Sequence, residues 1–210
     1  MNPIFEYLFQ PYTQYSLQDI ILEIIAVLMG LASVWFAKKD HIWVYPTGLI
    51  STGIYVYILI KSGLVGDVLI NGYYFCMSVY GWYFWTRKSE GIMLHPISKM
   101  SPREFQWSIL LFAVTIAAVT LLYFLFDKWN DWTAPIDTFT TALFFVGMWL
   151  MARRKIQHWL FWIVGDIISV PLYLVKGLGL TGFQYLIFTL IAIFGYRQWK
   201  KSFNNSLQTV

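Results

Sequence analysis

Seven apolar segments, each of the length needed to cross a bilayer, fill most of this 210-residue chain. Hydrophobic residues make up 58% of the sequence and charged residues only 12%, whereas a soluble domain carries about 25% charged residues. In a bilayer, backbone polar groups must be hydrogen-bonded internally, so segments of this kind fold as helices. We predict an all-α integral membrane protein with seven transmembrane helices, at residues 19–37, 42–60, 64–86, 105–126, 134–152, 158–175 and 180–199. The second segment is the least apolar, because it contains Pro46, Thr47, Gly48, Ser51, Thr52 and Gly53.

Lys and Arg fall mainly on one side of this predicted topology. Only Lys61, Lys128 and Lys176 lie on the other side. Because cytoplasmic loops carry an excess of basic residues, we expect a cytoplasmic C-terminus and, with seven spans, an N-terminus outside. The excess of basic residues is then a matter of topology, and no nucleic-acid partner is expected. The twelve residues on the basic side are Lys38, Lys39, Arg87, Lys88, Lys99, Arg103, Arg153, Arg154, Lys155, Arg197, Lys200 and Lys201.

An internal repeat divides the chain. A shift of 114 residues superimposes Glu23 on Asp137, Trp35 on Trp149, Gly63-Leu64 on Gly177-Leu178, Gly81 on Gly195 and Trp85 on Trp199, while slightly larger shifts align Lys38-Lys39 with Arg153-Arg154 and Trp43 with Trp159. We predict an N-terminal interfacial segment (1–18), two three-helix repeats (19–88 and 133–201), a loop and linker transmembrane helix between them (89–132) and a cytoplasmic tail (202–210). A single linker helix gives both repeats the same orientation, in a parallel 3+1+3 arrangement. Transporters built from repeats place the substrate site between them, near the midplane.

The most informative stretch for function is Trp159-x-x-Trp162-x-x-x-Asp166, which lies inside a predicted span. Positions i, i+3 and i+7 share a helical face. An ionised carboxylate at this depth costs at least about 3 kcal/mol unless something compensates it, and intramembrane carboxylates are functional by default. A structural carboxylate bonded to a neighbouring helix is the alternative. Aromatic faces beside a carboxylate suit a flat, cationic ligand, so we predict a substrate site here.

Other polar residues of the spans are weaker candidates. Asn71, Ser78 and Gln184, with Tyr74, are candidates to bind the same substrate, or they hydrogen-bond one helix to another. Glu23 and Asp137 lie about one turn inside the outer helix ends, where carboxylates gain from the helix dipole; the alternative role is a gate or a cation-attracting mouth.

Several kinds of chemistry find no support in the sequence. The single Cys76 excludes an intramolecular disulfide and a cysteine-cluster metal site. His41, His95 and His158 lie in or beside the basic loops, and no Gly-rich phosphate motif is present. We expect no metal, no cofactor and no enzyme activity, because no second catalytic group falls at the depth of Asp166. An intramembrane enzyme and a purely structural membrane protein are the rival interpretations.

These features together resemble the PnuC family of bacterial vitamin transporters over nearly the whole chain. The most specific pieces are Tyr80-Gly81-Trp82-Tyr83-x-Trp85, the stretch from Trp159-x-x-Trp162 to Ser169, and Gly195-x-Arg197-x-Trp199. The resemblance implies a bacterial inner-membrane protein with a fold similar to the sugar-transporting SWEET proteins. It also implies a homotrimer and facilitated diffusion of the vitamin, which an intracellular kinase traps by phosphorylation.

One residue departs from the family pattern. Nicotinamide riboside transporters of this family usually have Asn where this chain has Asp166, and members that resemble thiamine transporters tend to have Asp there. Both vitamins are flat heterocyclic cations. The resemblance therefore implies a vitamin uniporter of the nicotinamide riboside type, with thiamine as the alternative substrate.

Overall fold

The computed structural model describes residues 16–61, 65–89, 92–93, 95–127, 129, 132–176 and 179–208. The predicted interfacial segment 1–18 lies almost wholly outside the described residues, and the repeat pairs Gly63-Leu64 and Gly177-Leu178 lie wholly outside them. Seven helices are present in the described part: α1 (Leu17–Lys38), α2 (Val44–Lys61), α3 (Val65–Thr86), α4 (Pro102–Leu125), α5 (Ala134–Ala152), α6 (His158–Val175) and α7 (Gly179–Gln208).

The predicted helices are confirmed, with three differences. A short antiparallel pair of strands, β1 (Lys88–Ser89) and β2 (Ile92–Met93), follows α3. Helix α4 begins earlier than predicted because Ser101 and Glu104 form a capping box that closes its first turn. Helix α7 continues to Gln208, so most of the predicted tail is helical; residues 200–208 contain no Pro or Gly to end the helix.

Five of these helices, α1, α2, α4, α5 and α6, are long and apolar enough to cross a membrane. Helix α2, the weakest prediction, is one of them. Large apolar side chains lie on the outside of the bundle, including Leu28 at 55% exposure and Leu121 at 58%. Such a surface is costly in water and favourable against lipid, so the fold is that of a multi-pass membrane protein.

The helices pack as two consecutive triplets. We call α1, α2 and α3 the first triplet and α5, α6 and α7 the second triplet. Within each triplet the middle helix packs against the other two, and α4 packs mainly against α5. Contacts of α1 with α7 and of α3 with α5 join the two triplets into one bundle.

Four helix bounds of the two triplets recur at a spacing of 114 residues, whereas the first residues of α1 and α5 and the last residues of α3 and α7 do not. Both α2 and α6 have 18 residues and begin 114 positions apart, as do the first residues of α3 and α7. This spacing pairs Tyr45 with Trp159. The larger shift that aligned Trp43 with Trp159 is therefore wrong, since Trp43 is 54% exposed whereas Tyr45 and Trp159 are both fully buried.

Equivalent glycines admit these two rings. A Cβ atom on Gly81 would overlap the Tyr45 ring, and one on Gly195 would come within 2.6 Å of the Trp159 ring. The rings of Tyr45 and Trp85 meet edge to face at 5.1 Å, and those of Trp159 and Trp199 at 6.0 Å. A dense aromatic layer therefore forms where α1, α3 and α5 end, which we call the basic end of the bundle.

Two reciprocal hydrogen bonds cross between the triplets in this layer. The Trp85 Nε1–H of α3 donates to the carbonyl oxygen of Ala152 at the end of α5, at 3.1 Å. The Trp199 Nε1–H of α7 donates to the carbonyl oxygen of Ala37 at the end of α1, at 2.8 Å. Since the last carbonyls of a helix have no partner within it, each triplet caps a helix of the other.

An ion pair lies beside these bonds. The Arg154 Nη2–H donates to Asp40 Oδ1 at 2.8 Å, and the guanidinium lies 4.3 Å from the Trp85 ring centroid. Both residues have positive φ, 52° for Asp40 and 56° for Arg154, which marks equivalent turns after α1 and α5. Burial raises the pKa of the Asp40 carboxyl, and the Arg154 guanidinium opposes that rise.

The packing at Gly195 can be tested by adding one methyl group. We expect Gly195→Ala to lower the free energy of unfolding by about 1–3 kcal/mol, because the new Cβ overpacks the buried Trp159 ring. Gly72→Ala on α3 is the matched control, because no atom lies within 4 Å of its added Cβ. Thermal unfolding of the purified variants in detergent measures both effects, and a Gly195→Ala melting temperature at or above wild type would contradict the packing.

Candidate functional site

A cavity of about 240 Å³ lies between the two triplets. All six helices of the triplets line it, and the described part of α4 does not. Its volume is close to the lower end of the range for small-molecule sites, about 300 Å³. The cavity therefore lies where the repeat arrangement predicts a substrate site, and its size suits a small ligand.

The first triplet presents small and hydroxyl-bearing residues to the cavity. Ser33 Oγ–H donates to the Val44 carbonyl oxygen at 2.7 Å, and Ser51 Oγ–H donates to the Ala26 carbonyl oxygen at 2.8 Å. These donations leave oxygen lone pairs free to accept hydrogen bonds. This wall therefore offers space for a ligand and oxygen atoms that can accept hydrogen bonds from it. The other lining residues of the first triplet are Gly30, Val34, Val44, Gly48, Thr52, Tyr74 and Ser78.

The second triplet presents mainly aromatic and sulfur-containing residues. Gly147 lets the Trp162 indole lie directly against α5, since a Cβ there would overlap the indole. The Tyr185 ring stacks on Phe144 at 5.9 Å and on Tyr173 at 5.1 Å. These contacts hold flat rings at the cavity, where Met148, Met151, Asp166 and Phe188 complete the wall.

Asp166 is the one charged side chain among the described lining residues. It is 5% exposed, and within the described part of the chain its carboxylate has neither a hydrogen-bond donor nor an ion-pair partner. Buried carboxylates are normally hydrogen-bonded or paired. A ligand with a positive charge or several donors would supply the missing partner.

Four of the predicted substrate-binding residues meet at this cavity, and three do not. Trp162, Asp166, Tyr74 and Ser78 line it. Trp159 is fully buried in the aromatic layer, where it packs against Gly195 and Trp199. It shares a helical stripe with Asp166, but α7 covers that end of the stripe.

Asn71 and Gln184 lie beside the lining without being part of it. Gln184 precedes the lining residue Tyr185, so about 100° of helical rotation separates the two side chains. Asn71 lies one turn before Tyr74 on α3 and has a polar partner of its own.

Glu23 and Asp137 also lie outside the cavity lining. Asp137 forms an ion pair with Lys176, which follows α6, and Asp19 forms one with Lys61 at 2.6 Å across α1 and α2. Each pair joins the first two helices of a triplet at the end opposite the aromatic layer. Among the described residues, no group of three His, Cys, Asp or Glu side chains could hold a metal ion.

Sequence reasoning missed the small residues of the first triplet. Gly48, Ser51 and Thr52 had weakened the prediction of α2 as a span, yet they line the cavity. Polarity on one helix of an otherwise apolar bundle was the available signal, since such residues are costly against lipid and favourable beside a site.

Comparison with known proteins identifies the family. Residues 20–201 match the family model described as nicotinamide mononucleotide transporter. The chain belongs to this PnuC family of membrane transporters. It is 26% identical over 212 aligned residues to the nicotinamide riboside transporter PnuC of Escherichia coli, covering 86% of this chain and 85% of that protein.

Two further similarities fit this membership. The chain is 25% identical over 184 residues to the riboflavin/roseoflavin transporter RibM of Streptomyces davaonensis, covering 84% of this chain and 83% of that protein. Its fold is similar to the crystal structure of the vitamin B3 transporter PnuC, with a TM-score of 0.65 and 20% identity, over 95% of this chain and 89% of that chain.

A substitution that fills the cavity tests whether the cavity is the substrate site. A Cβ on Gly48 would lie 3.1 Å from Ser33 Oγ and 3.4 Å from Ser78 Oγ, so we expect Gly48→Leu to occupy the cavity and reduce uptake at least tenfold. Gly53→Leu on the same helix is the control, because its Cβ would make only an ordinary 3.7 Å contact with Phe75 and Gly53 does not line the cavity. Equal uptake by the two variants, at matched amounts in the membrane, would show that the site lies elsewhere.

Proposed function

We propose that this protein is a uniporter for a flat, cationic vitamin of the nicotinamide riboside type. The observation that carries the proposal is the Asp166 carboxylate, which is buried in the cavity wall without a partner among the described residues. Trp162, Phe144 and Tyr185 supply flat surfaces for a heterocycle, and cations are attracted to such rings. The hydroxyls of the first triplet would accept hydrogen bonds from ribose.

The lining also argues against a phosphorylated ligand. No Lys, Arg or His lies among the described lining residues, and the only charge is negative. A nucleotide phosphate placed beside Asp166 would be repelled without compensation. The unphosphorylated nucleoside therefore fits better than the mononucleotide, and phosphorylation inside the cell would trap it.

Thiamine is the alternative substrate. Its thiazolium ring is a flat cation, and Asp166 could accept hydrogen bonds from its aminopyrimidine ring. The family resemblance associates Asp at this position with thiamine. Riboflavin, the ligand in the name of one relative, is uncharged at its ring system and leaves the carboxylate without a counter-charge.

For the mechanism, we propose that the two triplets are parallel repeats joined by α4, in a SWEET-like 3+1+3 arrangement with domain bounds at 19–88, 89–132 and 133–201. The recurring spacing of 114 residues and the reciprocal tryptophan bonds support this. Rocking of the triplets about the cavity would give alternating access.

The surroundings of the transporter follow from the same proposal. The distribution of Lys and Arg supports an outside N-terminus and a cytoplasmic C-terminus in the bacterial inner membrane. Glu23 and Asp137 then lie near the outer mouth, where Glu23 would attract a cation and the Asp137–Lys176 ion pair would act as a gate. The homotrimer is carried over from the family alone.

The role of Asp166 can be tested by binding. We expect the purified protein to bind nicotinamide riboside or thiamine, and Asp166→Asn to weaken binding about tenfold to hundredfold, the effect of losing a charged hydrogen bond of about 1.5–3 kcal/mol. The same substitution should weaken the binding of reduced nicotinamide riboside far less, because this ligand has nearly the same shape and no charge. Calorimetric titration of wild type, Asp166→Asn and the control Asp19→Asn measures this. Equal losses for the charged and uncharged ligands would contradict the charge pairing.

Uniport predicts a particular pattern of flux. The occluded empty carrier would bury an unpaired carboxylate, whereas the occluded loaded carrier would pair it with the cation, so the loaded carrier should reorient faster. We expect labelled vitamin to enter proteoliposomes without an ion gradient, and several times faster when unlabelled vitamin is inside. Asp166→Asn should remove this acceleration. Uptake that required a proton or sodium gradient would overturn the uniport.

A further inference from the structure

A second cavity, of about 700 Å³, opens at the basic end between α3, α4 and α5. We call it the lateral groove and define it by Tyr73, Arg103, Trp107, Leu110, Val114 and Arg153. It shares no described residue with the central cavity. It exists because α4 packs closely on α5 and touches α3 at only a few places, which leaves a cleft facing the membrane.

The mouth of the lateral groove is basic. Arg103 is exposed, and Arg153 is about one-third exposed. The Arg153 Nε–H donates to Glu104 Oε1 at 3.0 Å, and Lys155 Nζ lies 3.2 Å from the same oxygen. Two cations therefore pair with one carboxylate, which is itself buried, and the exposed Arg103 adds a third positive charge at the mouth. The excess positive charge favours an anion at the mouth.

Below the mouth the lateral groove is apolar. Trp107 is 60% exposed, Leu110 49% and Val114 54%, and all lie along one side of α4. From Arg103 to Val114 this wall is about 16 Å long, roughly half the thickness of the hydrocarbon core.

Tyr73 forms the facing wall. Its hydroxyl donates to the Phe145 carbonyl oxygen at 2.8 Å, and its ring stacks on the Phe145 ring at 3.8 Å, so this wall is fixed in place.

We propose that the lateral groove is a binding site for an anionic phospholipid of the leaflet at the basic end. The headgroup phosphate lies between Arg103 and Arg153, and one acyl chain covers Trp107, Leu110 and Val114. A free phosphate would satisfy the arginines but leave the apolar wall uncovered, so the combination selects a lipid. Basic sites between transmembrane helices recognise anionic headgroups in this way.

The test uses the full-length protein in detergent micelles with added phosphatidylglycerol, phosphatidylcholine or inorganic phosphate. We expect phosphatidylglycerol to raise the melting temperature of the protein. In native mass spectra, the bound fraction of phosphatidylglycerol should be at least fivefold that of phosphatidylcholine. Inorganic phosphate alone should have no effect on the melting temperature. Arg103→Ala should abolish this preference, whereas Arg87→Ala, which removes an exposed arginine at the same end outside the groove, should keep it. Val114→Trp should also abolish it by filling the apolar part with the charges intact.

Three results would overturn the proposal. Equal stabilisation by the two lipids would show that the groove does not distinguish the charge of the headgroup. A full effect of phosphate alone would show that the apolar wall does not contribute to binding. Cross-linking of Trp107→Cys between copies in native membranes, in a Cys76→Ser background, would show that a second copy of the chain covers the groove. Vitamin binding by Arg103→Ala should be unchanged, which separates this site from the central cavity.

Discussion

The fold depends on how the two triplets meet at the basic end. Trp85 and Trp199 each satisfy a carbonyl at the end of a helix in the other triplet, and these bonds lie in a fully packed aromatic layer. Separating the triplets here would leave the two buried indole N–H groups without these partners, and each buried polar group left unpaired costs about 1–3 kcal/mol. The layer therefore fixes one end of the bundle, and the cavity lies directly beside it, with Val44 common to both.

How much of this followed from the sequence differs between the scaffold and the site. Segment length and apolar composition predicted all seven helices, because a backbone inside a bilayer has so few alternatives. Helical periodicity also placed Trp162 and Asp166 on one face, and both line the cavity. Periodicity fixes the angle of a side chain around its own helix, however, and not the neighbour that it meets at that angle.

Trp159 and Gln184 show the consequence. Trp159 has nearly the same angle as Asp166, yet it meets α7 and lies in the core. Gln184 is adjacent to the lining residue Tyr185. An error of one residue, or about 100° of helix rotation, is enough to exchange the two side chains at the cavity. Gly48 and Thr52 line the cavity, but in the sequence they only lower the hydropathy of α2. The sequence does not show which helix faces the aromatic wall.

The spacing of 114 residues shows which residues correspond across the cavity, and these residues form two unlike walls. At 114 residues, Gly48 in the first triplet corresponds to Trp162 in the second, and Thr52 corresponds to Asp166. The helix bounds at these positions recur at that spacing, whereas the lining residues differ. Two identical aromatic and acidic walls would bring two carboxylates together in a small cavity, where like charges repel strongly. A glycine and a hydroxyl on one side, opposite an indole and a carboxylate on the other, instead suit the ligand of the proposed function, which has a flat charged ring and a polar substituent. Under the proposed function, an asymmetric ligand therefore favours two triplets that differ at the cavity, while the aromatic layer keeps a tryptophan and a glycine at equivalent positions in both, Trp85 with Gly81 and Trp199 with Gly195.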